Sequence, residues 1–150
     1  MPYDPDTALD RAHDEVRAEI ARVDNKVGLL LAFNGAVLLA VGALAKDLHD
    51  IALAAQITGS LGIVTLGGSI TLLLHAVRPR LGGNAPAGFP LWATQTSFEI
   101  RRELATDSRA DDIATLSRIA LAKYRKLQRA VDLTRAGNLT ILLAAALATI

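Results

Sequence analysis

Residues 27–45 read Val-Gly-Leu-Leu-Leu-Ala-Phe-Asn-Gly-Ala-Val-Leu-Leu-Ala-Val-Gly-Ala-Leu-Ala, nineteen residues without a charge. As a helix rising ~1.5 Å per residue the run reaches about 28 Å, close to the ~30 Å hydrocarbon thickness of a bilayer. It opens after Asp24-Asn25-Lys26 and closes at Lys46-Asp47. It reads as a transmembrane helix, and the rest of the composition follows the same rule. Hydrophobic residues make up 51% of the 150, aromatics only 4%, and the apolar residues gather into three blocks, 27–45, 51–77 and 136–150. A soluble domain mixes polar and apolar residues at helical or strand spacing. Separation into blocks predicts an all-α membrane protein of one domain.

N-terminal to this run, residues 5–26 form an amphipathic helix, with Asp6 or Thr7 as N-cap and early acids suited to the helix dipole. Leu9, His13, Val16, Ile20, Val23 and Val27 recur at alternating steps of four and three, and the steps continue to Leu30, Asn34, Val37 and Val41. That is the seam of a helix packing on another helix. It predicts one helix of about 40 residues that runs from cytosol into membrane without a break. The seam suits a later helix of the same chain or a second copy equally well. Within the span, Gly28, Ala32, Ala36 and Ala40 lie four apart, a small-residue stripe for close helix assembly. Asn34 is the strongly polar residue of the span. An amide in hydrocarbon is costly unless bonded, so it should face another helix, either to fix register or to take part in conduction.

C-terminal to the run, Lys46–Asp50 is a short polar turn and 51–77 is a second span, long enough to cross with tilt. Thr58, Gly62, Thr65 and Ser69 share one of its faces, for packing on the first span with hydroxyls bonding across or back to the backbone. Arg78-Pro79-Arg80 ends it, and a Gly/Pro-rich loop follows to Trp92. Phe89 and Trp92 suit either the headgroup level or a cytosolic core. Residues 95–132 are charged and mostly helical, with a second seam at Ile113, Leu116, Ala120, Tyr124, Leu127 and Val131. Residues 1–26 hold seven acids against four bases while 101–135 hold nine bases, so the two seams should pair. The basic run Lys123, Arg125, Lys126, Arg129 and Arg135 is either a solvated, membrane-proximal face or an anion site. The last block, 136–150, would extend only about 22 Å, so it is a short third span or a half-inserted segment.

Between spans two and three there are eleven Lys or Arg, against one in the 46–50 turn and four in the N-terminal arm. The positive-inside rule places residues 1–26 and 78–135 in the cytoplasm and the C-terminus outside. A net charge of +1 leaves no electrostatic footprint for nucleic acid. With no cysteine there is no disulfide framework or thiolate metal site, and His13, His49 and His75 lie on different segments without metal spacing. There is no phosphate loop and no recognisable catalytic set, and the carboxylate pairs Asp14-Glu15 and Asp111-Asp112 sit on charged helical faces. The residues therefore point to neither an enzyme nor a metal or cofactor.

The run Asp24-Asn25-Lys26-Val27-Gly28 leading into Leu-Leu-Leu-Ala-Phe-Asn34-Gly35 resembles the opening of the first span in the Pycsar effector transmembrane family, PycTM. Leu116-Ser117-Arg118-Ile119-Ala120, followed by Lys123-Tyr124-Arg125, resembles the cytosolic helix before that family's last span. The order of parts agrees as well. The resemblance implies the membrane effector of a bacterial antiphage system. In such systems a partner cyclase makes a cyclic pyrimidine mononucleotide, cCMP or cUMP, and the effector answers by disrupting the cell membrane. No separate nucleotide-binding fold is visible in the 58 residues between spans two and three. Lys123, Arg125, Lys126 and Arg129 are the candidates for nucleotide contact. Gly28, Ala32, Asn34, Ala36 and Ala40 are the candidates for assembly of a homo-oligomer in the bilayer. The alternative is a structural or interaction membrane protein, such as a plasmid-spread component.

Overall fold

The computed structural model describes residues 4–44, 52–78 and 89–149. The turn at Lys46–Asp50, the loop at 79–88 and the side chain of Phe89 lie outside the described residues. Three helices are long and apolar enough to cross a membrane: α1 (Pro5–Leu44), α2 (Leu53–Val77) and α5 (Arg109–Leu147). Between α2 and α5 lie two short helices, α3 (Phe89–Trp92) and α4 (Ser97–Leu104). The chain is a multi-pass membrane protein with its N-terminus and residues 78–135 on the cytoplasmic side.

α1 is one unbroken helix of 40 residues, as its seam requires. Its cap is Asp4, not Asp6 or Thr7. The Asp4 carboxylate accepts from the Asp6 N–H at 3.3 Å, and Pro5 takes the first helical position, where a missing N–H costs nothing. α4 is closed by a reciprocal capping box between Thr96 and Glu99. Trp92 at the end of α3 stays exposed and joins no cytosolic core.

α5 runs parallel to α1 and α2 runs antiparallel to both. Arg109 meets Asp6 and Asp10, Lys123 meets Asp24, and Thr134 meets Asn34, so the two long helices keep one register from end to end. Opposite charge pairs them in the cytoplasm. Lys123 Nζ lies 2.6 Å from the Asp24 carboxylate, and the Tyr124 hydroxyl donates to Glu19 at 2.6 Å. The two seams are only half-buried there, because two helices shield one side of each other. They become a closed core where α2 joins them, in a cluster of Val23, Val27, Leu73, Ala76, Leu127 and Ala130. This core sits at the cytoplasmic mouth of the spans.

The most extensive contact is between α2 and α5. It is a close approach of two glycines. A Cβ on Gly62 would stand 2.7 Å from Ile141 Cγ1 and 3.1 Å from the Gly137 carbonyl, and one on Gly137 would stand 2.9 Å from Leu66. Lipid tails are as apolar as leucine, so helices associate in a bilayer through such packing rather than through a hydrophobic drive.

At the far cytoplasmic tip Arg109 binds Asp107 of its own segment and Asp6 and Asp10 of α1. Its guanidinium holds the Asp107 carboxyl down at about 2. A depressed carboxyl contributes above its unfolded value, here 3.8, and the contribution is lost as pH falls through about 2.

Two predictions follow from these contacts. Gly62→Val and Gly137→Val should each destabilise the α2–α5 pair by about 1–3 kcal/mol, read as an earlier unfolding transition in detergent. Spin labels at Thr7 and Ala110 should show a narrow distance at neutral pH. That distance should widen in Arg109→Ala, which removes both ion pairs that tie this end of α5 to α1.

Candidate functional site

Asn34 lies on the α1 seam and therefore points to where the three spans meet. It is fully buried, as is Ser69 of α2, and Thr134 of α5 is 5% exposed. The Asn34 amide donates to Ser69 Oγ at 3.2 Å and to Thr134 Oγ1 at 3.1 Å, and Thr134 Oγ1 donates back to Asn34 Oδ1 at 3.2 Å. Ser69 Oγ and Thr134 Oγ1 are 2.9 Å apart, and Ser69 donates to the Ala130 carbonyl at 2.8 Å. One residue from each long helix thus closes a polar hub in an otherwise apolar interior. Of the hydroxyl stripe on α2, only Ser69 bonds across. Thr58 and Thr65 turn back to the carbonyls of Ala54 and Leu61.

Thr134 was not among the residues singled out in the sequence. Its signal was present: the seam that ends at Val131 continues by a step of three to Thr134. The nearby Arg135 hid it by marking this stretch as lying outside the membrane.

Gly28, Ala32, Ala36 and Ala40 fall on the face of α1 away from the hub. All four are exposed, and nothing comes within 4 Å of where a Cβ on Gly28 would stand. Within one chain they pack on no other helix. The close approach that the stripe suggests for α1 is made instead by Gly62 and Gly137.

The four basic candidates separate into two pairs. Lys123 is held by Asp24, and Lys126 Nζ donates to the His75 carbonyl at 3.3 Å. Both cations tie α5 to a neighbour. Arg125 and Arg129 are exposed and line an open groove of about 660 Å³ along α5. Tyr124, Gln128, Asp132 and Arg135 line it too, with Leu127 and Val131 between them. All of these residues lie on α5, so the groove is open on the side away from the helix. The Tyr124 ring has Lys26 Nζ 6.0 Å from its centroid, and its hydroxyl proton is held more tightly than usual by the bond to Glu19. Three guanidiniums, an amide and a phenol are chemistry for a phosphate and a ring, with the Asp132 carboxylate as the one anion among them. Among the described residues no cluster of His, Asp and Glu is placed to hold a metal ion.

The family model of the Pycsar effector protein domain matches residues 8–150. No curated protein and no solved structure matches the chain.

Asn34→Ala should cost about 2 kcal/mol, since it removes the hydrogen bonds that join α1 to α2 and α5, each worth ~0.6–2 kcal/mol in a membrane interior. Ser69→Ala should cost less in the Asn34→Ala background than alone. A double-mutant cycle on detergent unfolding measures the coupling.

Proposed function

The chain belongs to the Pycsar effector domain family, and from that membership we propose that it is the membrane effector of an antiphage defence system. On this reading a cyclic pyrimidine mononucleotide, cCMP or cUMP, is supplied by a partner cyclase. It reaches the cytoplasmic side and changes the packing of α1 against α5. The spans, in assemblies of several copies, then breach the cell membrane, and the infected cell stops growing or dies. The observation that carries the reading is the match itself, which covers the cytoplasmic helix and all three spans.

The residues support a route for the signal. The cytoplasmic end of the groove on α5, from Tyr124 to Arg129, is the site we assign to the nucleotide, with Arg125 and Arg129 on the cyclic phosphate. Lys123 and Lys126 are the cations that would have to leave Asp24 and the His75 carbonyl to join them. A phosphate that draws Lys123 away leaves Asp24 facing a half-buried seam without its partner, which weakens the hold between α1 and α5. The small face of α1 carrying Gly28, Ala32, Ala36 and Ala40 is the one we assign to contacts between copies in the open assembly. The hub at Asn34 ties that movement to the spans.

Calorimetric titration of the detergent-solubilised chain with cCMP and with cUMP tests the site. One of the two should bind, and Arg125→Ala and Arg129→Ala should each weaken it by about tenfold, the worth of one charge-assisted bond. Cells expressing the chain should depolarise when that nucleotide is supplied, and Asn34→Leu should blunt the response. No heat and no depolarisation with either nucleotide would leave the structural alternative, an interaction protein of plasmid spread, as the better account.

A further inference from the structure

The contacts of α5 set its depth. Its ties to α1 join residues 99 and 100 apart in sequence, Asp24 to Lys123 and Asn34 to Thr134, so residues 127–145 lie beside the first span, 27–45. Lys126 on the His75 carbonyl is level with Lys26 and lies close to Arg78, the cap of α2. These cations mark the cytoplasmic boundary. Arg129, Asp132 and Arg135 follow Lys126 at three, six and nine residues, about 4.5, 9 and 13.5 Å deeper. Arg135 is beside Gly35 in the register, near the middle of the spans.

All three side chains are exposed on the outer face of α5, and among the described residues none is bonded to another side chain. Arg129 can snorkel to the boundary. Asp132 is short, and Arg135 lies about twice an arginine's reach below it. A face of this kind does not stand in hydrocarbon. One chain presents it only as one side of one helix and cannot enclose water around it. In a ring of copies about an axis along the membrane normal, like charges meet at equal depth, Arg135 opposite Arg135. A dry contact does not tolerate that, and a water-filled one does.

We propose that Gln128, Arg129, Asp132 and Arg135 line an aqueous vestibule enclosed by several copies of this chain, open to the cytoplasm and reaching about the middle of the bilayer. The partner on this face is a second copy. At the end of the stretch 78–135 the outer face of α5 is then wetted from the cytoplasm at bilayer depth, while Ala130 and Thr134 on its inner face meet the hub. The inference rests on the proposed function only in taking copies of the chain to open the membrane, and it makes the opening a lined pore with a fixed entrance. Two arginines against one aspartate per copy give that entrance a preference for anions.

The chain has no cysteine, so single cysteines report cleanly. Asp132→Cys and Arg135→Cys in proteoliposomes should react with a water-soluble, membrane-impermeant thiol reagent applied from the cytoplasmic side. The rate should be at least about tenfold above that of the buried Leu66→Cys. A bifunctional thiol reagent long enough to span a water-filled lumen should also link copies through either position. In planar bilayers Arg135→Glu should turn an anion preference into a cation preference. Unreactive cysteines at 132 and 135 in a folded chain would overturn the vestibule, even if vesicles leak, and would leave the membrane-breaching reading standing. Reactive, cross-linked cysteines with no conductance under either nucleotide would keep the vestibule and sink that reading instead. Leakage whose ion preference ignores Arg135→Glu would overturn the lined pore.

Discussion

A carboxamide in hydrocarbon must be hydrogen-bonded, and the structure depends on how that demand is met. Asn34 has no partner within its own span. Ser69 and Thr134 satisfy it together, and Ser69 in turn donates its one hydroxyl proton to the Ala130 carbonyl. Because each long helix contributes one residue, the hub sets the height of all three at once. Apolar packing alone tolerates a slide along a helix axis; a closed set of polar bonds does not. The ion pairs of the cytoplasmic half agree with this register, since Lys123 meets Asp24 and Arg109 meets Asp6 where the hub would place them.

The two halves of the molecule are held by different forces. In the cytoplasm α1 and α5 face each other through a half-buried seam and exposed ion pairs, which salt screens and which contribute little one by one. In the membrane α2 and α5 approach through Gly62 and Gly137, a contact of backbone on backbone that salt does not touch. The α2–α5 pair is therefore the fixed part. The cytoplasmic half of α1 is the part whose hold depends on charge, and a charged ligand of the kind proposed would act on that hold. The nucleotide that the family's biology implies carries such a charge.

Much of this was legible in the residues. The uncharged runs showed the spans, the steps of four and three showed the long helices, and opposite charge showed which seams meet. Asn34 stood out because an amide in a span has few reasons to be there. What was not legible came from depth. The uncharged run 136–150 reads as a short third span or a half-inserted segment, because a charge is taken to mark the edge of the membrane. The run is the end of a 39-residue helix whose height is set by contacts a hundred residues away, and no local pattern carries that information. The small stripe on α1 has the same moral. Spacing shows that four residues share a face, but not which way the face looks. The polar side of α5 was visible as a basic run. Its unpaired state was not, because Lys123 and Lys126 differ from Arg125 and Arg129 only in what the fold brings next to them.

α1 has no break between the cytoplasmic tip and the far side of the bilayer. At ~1.5 Å per residue its 40 residues make a rod of about 60 Å, with proline only at its first position. Such a rod has no proline break at which its two ends could move independently, so a turn imposed near Leu9 has a continuous hydrogen-bonded backbone along which to reach Asn34. The bilayer half is geared to the cytoplasmic half as the far end of a shaft is to the near one, with only the elastic give of the helix between them.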